Sequence, residues 1–374
     1  MYSDHSRRFL SRMAVATVTG LAVVSFASSS LCAAAERTQT VFASGLNNPR
    51  GLKFGPDEQL YVAEGGLGGA HSTVGHCDQV VPPIGPYTGS PAGGRISRIN
   101  ANGYRETVVD NLPSSQTSAA SGSLVSGVAD VAFIDDKLYA LLAGAGCSHG
   151  VATLPNGVIR VHRNGTWALI ANLSAFQQAN PVAHPEPDDF EPDGTWYSMV
   201  AVHDDLYAVE PNHGELDRIT RRGHIERIAD ISASQGHIVP TALAFRHGYF
   251  YVGNLNVFPI VSGSSKILKI SMTGHVEVVV GGLTTVLGLA FDERGRLYAL
   301  ENTVGQPFPT PGAGRVVRVM RDGTLKTVAS GLVLPTAMTF GPDGNLYVST
   351  VGFGPPLAGQ GQIVKIELDG DDGD

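Results

Sequence analysis

Six residues occupy one recurring place in this chain, three positions past a repeated tyrosine: Glu64, Leu142, Glu210, Asn254, Glu301 and Thr350. Three carboxylates and an amide drawn to one point would suit Ca²⁺, which takes several oxygen ligands at roughly 2.3–2.6 Å. Asp130 and Asp193 would add oxygens, His237 an acid or base, and His213 lies beside Glu210 where it would face the same pocket. The other chemistry open to these carboxylates is structural. Paired with nearby arginines or accepting backbone hydrogen bonds, they would hold blades together and only mimic an active site. The run Asp188, Asp189, Glu191 and Asp193 lacks EF-hand spacing and reads as a solvated acidic loop.

Cys77 and Cys147 are the two thiols left if Cys32 departs with a leader. In an exported chain such a pair reads as a disulfide. The sharper alternative joins them to His71, His76 and His149 as a metal site, although the spacing matches no compact zinc pattern. No Gly-x-Ser-x-Gly elbow, His-Glu-x-x-His helix, phosphate-binding loop or dinucleotide fingerprint occurs, so serine-nucleophile chemistry has no specific support.

What must position these residues is an internal repeat. The triplets Leu60-Tyr61-Val62, Leu138-Tyr139-Ala140, Leu206-Tyr207-Ala208, Phe250-Tyr251-Val252, Leu297-Tyr298-Ala299 and Leu346-Tyr347-Val348 mark six copies. Each follows an apolar segment and a polar turn, such as Gly341-Pro342-Asp343-Gly344, which signals a hairpin. A third run alternates aliphatic and basic residues, as in Lys266-Ile267-Leu268-Lys269-Ile270, and a fourth lies beyond a short glycine turn. The sixth copy lacks its fourth strand, and Thr38–Ala43 supplies a matching one at the other end. Four-stranded units closed by a borrowed strand predict an all-β, six-bladed propeller of antiparallel blades.

With strands named A to D outward, the A–B and C–D turns are short throughout. The excess length sits in B–C loops (64–93 and 142–156) and D–A loops (111–126 and 173–195), which emerge on one face. That face is the expected working surface, with an unknown small molecule or protein as partner. The net charge of −8 and the absence of a basic run argue against nucleic acid.

Residues 1–35 read as a signal peptide: Arg7, Arg8 and Arg12, an apolar stretch from Met13 to Phe26, then Ala33-Ala34-Ala35. The Ser6-Arg7-Arg8-Phe9-Leu10 segment partly matches a twin-arginine signal. Residues 36–368 form the expected propeller and 369–374 an acidic tail. The expectation is a secreted or periplasmic protein with no integral membrane segment after cleavage.

The wording Phe340-Gly341-Pro342-Asp343-Gly344 before Leu346-Tyr347-Val348, and Gly361-Gln362-Ile363-Val364-Lys365-Ile366 after it, resembles NHL-type propellers. Over Thr38–Leu368 the chain more closely resembles the exported proteins grouped with ScyD and ScyE, the two propeller proteins of scytonemin pigment gene clusters. Gly45-Leu46-Asn47-Asn48-Pro49-Arg50-Gly51-Leu52 and Glu191-Pro192-Asp193-Gly194 carry that likeness. Where the family often continues Asn-Pro-Tyr-Gly, this chain has Thr195-Trp196-Tyr197-Ser198. The resemblance implies fold and export, and a binding or scaffold role is the leading expectation. A broader likeness to gluconolactonase-type propellers implies a divalent-metal-dependent hydrolase or lyase of lactones or esters. Its site would lie at the axial channel mouth, with Glu64, Asn254 and Glu301 as ligands by position in the ring.

Overall fold

A computed structural model describes residues 37–368, so the leader and the acidic tail read from the sequence lie outside the described residues. The described residues form six antiparallel sheets, five of four strands and one of five. The innermost strands are Pro49–Phe54, Val128–Ile134, Ser198–Val202, Pro240–Arg246, Val286–Phe291 and Ala337–Phe340. Each packs on the inner strand of the next blade, and the sixth packs on the first. The result is the six-bladed propeller that the repeat implied.

Ring closure follows the borrowed-strand expectation. Gln39–Leu46 pairs with Gly361–Ile366 as the outer strand of blade 6, in a register running from Gln39 opposite Ile366 to Leu46 opposite Gly361. The core is not central. Six buried clusters carry it, one between each pair of neighbouring blades, and a smaller seventh gathers around Val239, Leu255 and Leu287. This follows from the pleat: alternate residues leave opposite faces of a strand, and both faces of a blade meet a neighbour. The repeated tyrosines pack into these seams; Tyr347 receives Phe42 and Phe54 edge-on, each at 5.0 Å.

Every repeated tyrosine also stands opposite a cation on strand C: Tyr61 and Arg98, Tyr139 and Arg160, Tyr207 and Arg218, Tyr251 and Lys269, Tyr298 and Arg318, Tyr347 and Lys365. The strand-C cation in turn faces a strand-D glutamate in blades 1, 3 and 4, namely Glu106, Glu226 and Glu277. Opposite charges directly across a sheet stabilise it modestly.

Blade 1 departs from the plain unit. Its two outer strands, Thr88–Ile99 and Arg105–Gln116, run twelve residues each, and Val125–Ser126 adds a fifth strand. Part of what reads as loop in the sequence is therefore a sheet extension standing on the loop-rich face. Cys77 and Cys147 form a disulfide (Cα–Cα 6.3 Å) joining the B–C loops of blades 1 and 2. Both thiols are thereby used, and His71 Nδ1 lies 2.9 Å from the Gly150 carbonyl, so the alternative metal site is not formed. Among the described residues no helix is long and apolar enough to cross a membrane.

Candidate functional site

The strand-B termini do not deliver one donor set. Glu64 is fully buried and accepts hydrogen bonds from the Asn47 backbone at 2.6 Å and Arg95 Nε at 2.8 Å. Glu301 repeats this in blade 5 with the Thr284 backbone at 2.6 Å and Arg315 Nε at 2.5 Å. In both blades the arginine is the cross-strand neighbour on strand C. Glu210 accepts from the Thr195 backbone at 2.9 Å and the His213 backbone at 2.6 Å. Asn254 spans the same gap in neutral form, donating to the Ile238 carbonyl and accepting from the Lys266 backbone, both at 2.8 Å. Each side chain thus ties the loop entering its blade to that blade's own sheet or B–C turn. A buried carboxylate needs such partners, because desolvation alone would neutralise it. Among the described residues no three His, Cys, Asp or Glu side chains gather as a metal group. As placed, these four residues do not fit a shared Ca²⁺.

The axial mouth on the loop-rich face is built from other residues. The Tyr197 hydroxyl donates to the Thr336 carbonyl at 3.1 Å, linking blade 3 to blade 6. Arg50 of blade 1 holds its guanidinium 5.9 Å from the Tyr197 ring and 6.0 Å from the Phe353 ring, and donates to the Val125 carbonyl. Val239, Leu255 and Leu287 pack against Tyr197 and Phe353. Burial raises the Tyr197 phenol to about 12, against the pull of Arg50. Asp130 is a channel-side neighbour of this cap and accepts from the Val131 and Met199 backbones, each at 2.8 Å. Burial lifts its carboxyl to about 7 despite those bonds. Opposite it stands Gly51, where a Cβ would lie 1.9 Å from Asp130 Oδ1; the close approach requires glycine.

A second polar centre lies at the seam of blades 2 and 3. Asp193 Oδ2 accepts from the Ser148 backbone and hydroxyl, both at 2.7 Å. Gly146 (φ 101°) permits that contact, since a Cβ there would lie 2.4 Å from the Asp193 carboxyl carbon. His237 Nε2 lies 3.0 Å from Asp189 Oδ2. Burial opposes protonation of His237, but the hydrogen bond to Asp189 and the charges of Asp189, Glu186 and Glu210 together outweigh it and raise the pKa. The His213 ring lies 3.7 Å from Glu210 and 5.0 Å from the Phe190 ring. Sequence reasoning named His149 and Glu191 separately and did not join them as the middle of this centre. His149 Nδ1 lies 3.0 Å from Ser115 Oγ and its Nε2 3.4 Å from Glu191. Glu191 also accepts from Tyr87 at 2.5 Å and from the Thr195 hydroxyl.

The acidic loop is therefore not simply a solvated face: Glu191 and Asp193 are buried, and histidines clamp Glu191 and Asp189. Burial raises the carboxyl of Glu191 against the pull of His149, and holds the Tyr87 phenol well above its usual range. Ser115, His149 and Glu191 have the order of a hydroxyl–imidazole–carboxylate relay, but Ser115 and His149 are fully buried and no substrate reaches the hydroxyl. Nothing in the local sequence marks this trio, since its members come from three separate segments.

No protein-family model and no curated protein sequence matches the chain. Solved structures do, by shape. A gluconolactonase from Xanthomonas campestris shares 13% identity, with 89% of each chain covered and a TM-score of 0.52. A glucose dehydrogenase shares 14% identity over 89% of this chain and 100% of the other, at a TM-score of 0.53. A luciferin-regenerating enzyme shares 10% identity over 90% of this chain and 96% of the other, also at 0.53. At these identities the likeness establishes the propeller fold and nothing finer.

Proposed function

We propose that this is an exported binding propeller that holds a partner on its loop-rich face. The observation that carries the reading is an exposed aromatic ridge on the B–C loops of blades 4 and 5. Phe258 and Phe308 stack at 6.2 Å while 37% and 57% exposed, with Val261 beside them at 65%. The two loops are joined by the Ile260 backbone donating to the Pro307 carbonyl at 2.7 Å. Clustered apolar side chains on a surface mark an interaction site. Export agrees with the Cys77–Cys147 bond, which persists in an oxidising compartment. Kinship with the ScyD and ScyE proteins belongs to the same reading, supported by the motifs quoted above.

The test uses the neutral dye N-phenyl-1-naphthylamine as an apolar probe. Its fluorescence rises with the wild-type protein and falls away in the Phe258→Ser/Phe308→Ser double variant. An unchanged signal in that variant removes the ridge as the binding surface. The competing function is a divalent-metal-dependent lactone or ester hydrolase, the class suggested by the gluconolactonase neighbour. Lactone turnover that needs added Ca²⁺ and disappears in Glu301→Gln, with the variant still folded, would replace the binding reading.

A further inference from the structure

The opposite face carries a feature the loop face does not explain. Between blades 4 and 5, at their short turns, lies a groove of about 1000 Å³. Five cations line it, Lys269, Arg294, Arg296, Arg318 and Arg321, against one carboxylate, Asp322. Asp322 is itself engaged within its turn, accepting from the Thr324 backbone and hydroxyl at 2.9 and 2.6 Å. Asp292 answers Arg296 at 2.5 Å and Glu277 answers Lys269 at 3.1 Å. The lining is positive in a chain of net charge −8, and Arg294, Arg296 and Arg321 have interactions of their own.

The cause is a break in the repeat. Where blades 1, 3 and 4 set a glutamate opposite the strand-C cation, blade 5 sets Lys326 opposite Arg318. Blade 2 has the neutral Ala168 at this place and blade 6 the neutral Thr40. Like charges directly across a sheet are unfavourable. Arg318 is 2% exposed, and neither Nη1 nor Nη2 has a hydrogen-bond partner within the protein. Its Nε meets only a soft acceptor, Met320 Sδ at 3.2 Å. A guanidinium buried without an acceptor is costly, and such an orphan calls for a group that completes it.

The corresponding groove between blades 1 and 2 shows what balance looks like. There Arg98 pairs with Glu106 at 2.7 Å and Arg163 with Asp136 at 2.8 Å. No carboxylate completes Arg318 in this way; the polar group facing it across the sheet is the Tyr298 phenol.

We propose that the groove between blades 4 and 5 is a binding site for a multivalent tetrahedral oxyanion, a phosphate or sulfate group, seated on the Arg318 fork. A guanidinium offers two parallel N–H donors that match this geometry. Met320, unbranched and flexible, touches the guanidinium only at Nε and leaves Nη1 and Nη2 for the ligand. The site is on the face opposite the aromatic ridge and stands or falls independently of it.

Calorimetric titration with sodium pyrophosphate, in low salt and without divalent ions, tests this. The wild-type protein binds, and sulfate at higher concentration competes. Lys326→Glu places in blade 5 the carboxylate that blade 4 has in Glu277; it occupies Arg318, weakens pyrophosphate by roughly tenfold or more, and raises the Tm of the free protein. Arg318→Met, followed at a temperature where circular dichroism reports the folded state, loses binding as well. No heat from the wild type at about 10 mM pyrophosphate overturns the proposal. Equal affinity in wild type and Lys326→Glu overturns it too, because the anion then sits elsewhere.

Discussion

The Tyr197 hydroxyl lies 3.1 Å from the Thr336 carbonyl, a bond between the residues that lead into two inner strands three blades apart in a ring of six. It crosses the mouth of the channel, so the ring is tied across its axis as well as around its rim. Tyr197→Phe keeps the ring beside Arg50 and removes only this bond, costing about 1 kcal/mol in urea denaturation. Tyr197→Ala also empties the cap and costs about 3 kcal/mol or more. Equal stability of Tyr197→Phe and wild type would show that the cross-axis bond contributes nothing.

Glu301 and Arg315 form the barest version of the blade staple. Glu301→Gln leaves the guanidinium short of its charged partner and lowers stability by about 2–3 kcal/mol. A double-mutant cycle with Arg315→Met isolates the coupling. Additive single effects would mean that the pair is incidental and would free Glu301 for another role.

Cys77 and Cys147 close a loop of 70 residues between two blades. Replacing both by serine removes about 2–4 kcal/mol of stability. The loss is expected to appear as a lower Tm, matched by the reduced wild-type protein. Unequal losses in those two samples would point to a local packing defect rather than the cross-link.

Stability should decline as pH rises from about 4 to about 7. Burial puts Asp130 and Asp217 both at about 7 in the folded chain, against about 3.9 when unfolded. Across that window the folded state retains protons the unfolded state has released, so ionisation favours unfolding by up to about 1.4 kcal/mol per pH unit for each group. At the acid end Asp343 works the other way. Hydrogen bonds from Asn345 and Lys365 overcome its burial and hold it at about 2, so its contribution is lost as pH falls from about 4 through that value. Melting near pH 5 should therefore exceed melting near pH 8, and Asp130→Asn should flatten the difference. A Tm that climbs from pH 5 to pH 8 would contradict the assignment.

Much of the architecture was legible before any coordinates. The Leu-Tyr-Val triplets mark strand B, and alternation in runs such as Lys266–Ile270 marks strand C, because side-chain direction in a strand depends only on position. The closing strand was legible for the same reason: Thr38–Ala43 has the pattern of the missing outer strand and pairs as Gln39–Leu46. Ring position also led to Glu64, Glu210, Asn254 and Glu301, all at strand-B ends on the loop side.

What those residues bond to was not legible. Whether Glu64 meets a metal or Arg95 turns on which loop backbone arrives beside it, and that is settled when Asn47 enters the blade. The acidic run reads as solvated because its charges are local, yet Glu191 is buried by Tyr87 and His149, residues 104 positions and 42 positions away. Arg50, Tyr197 and Phe353 lie far apart in the chain and become a cap only when blades 1, 3 and 6 face one axis. Sequence by itself determined the six units, their strand order and the face where length accumulates, all of which are properties of periodicity. Tertiary structure alone decided the partners of the buried polar groups, because ring closure brings together residues that no short stretch of chain relates.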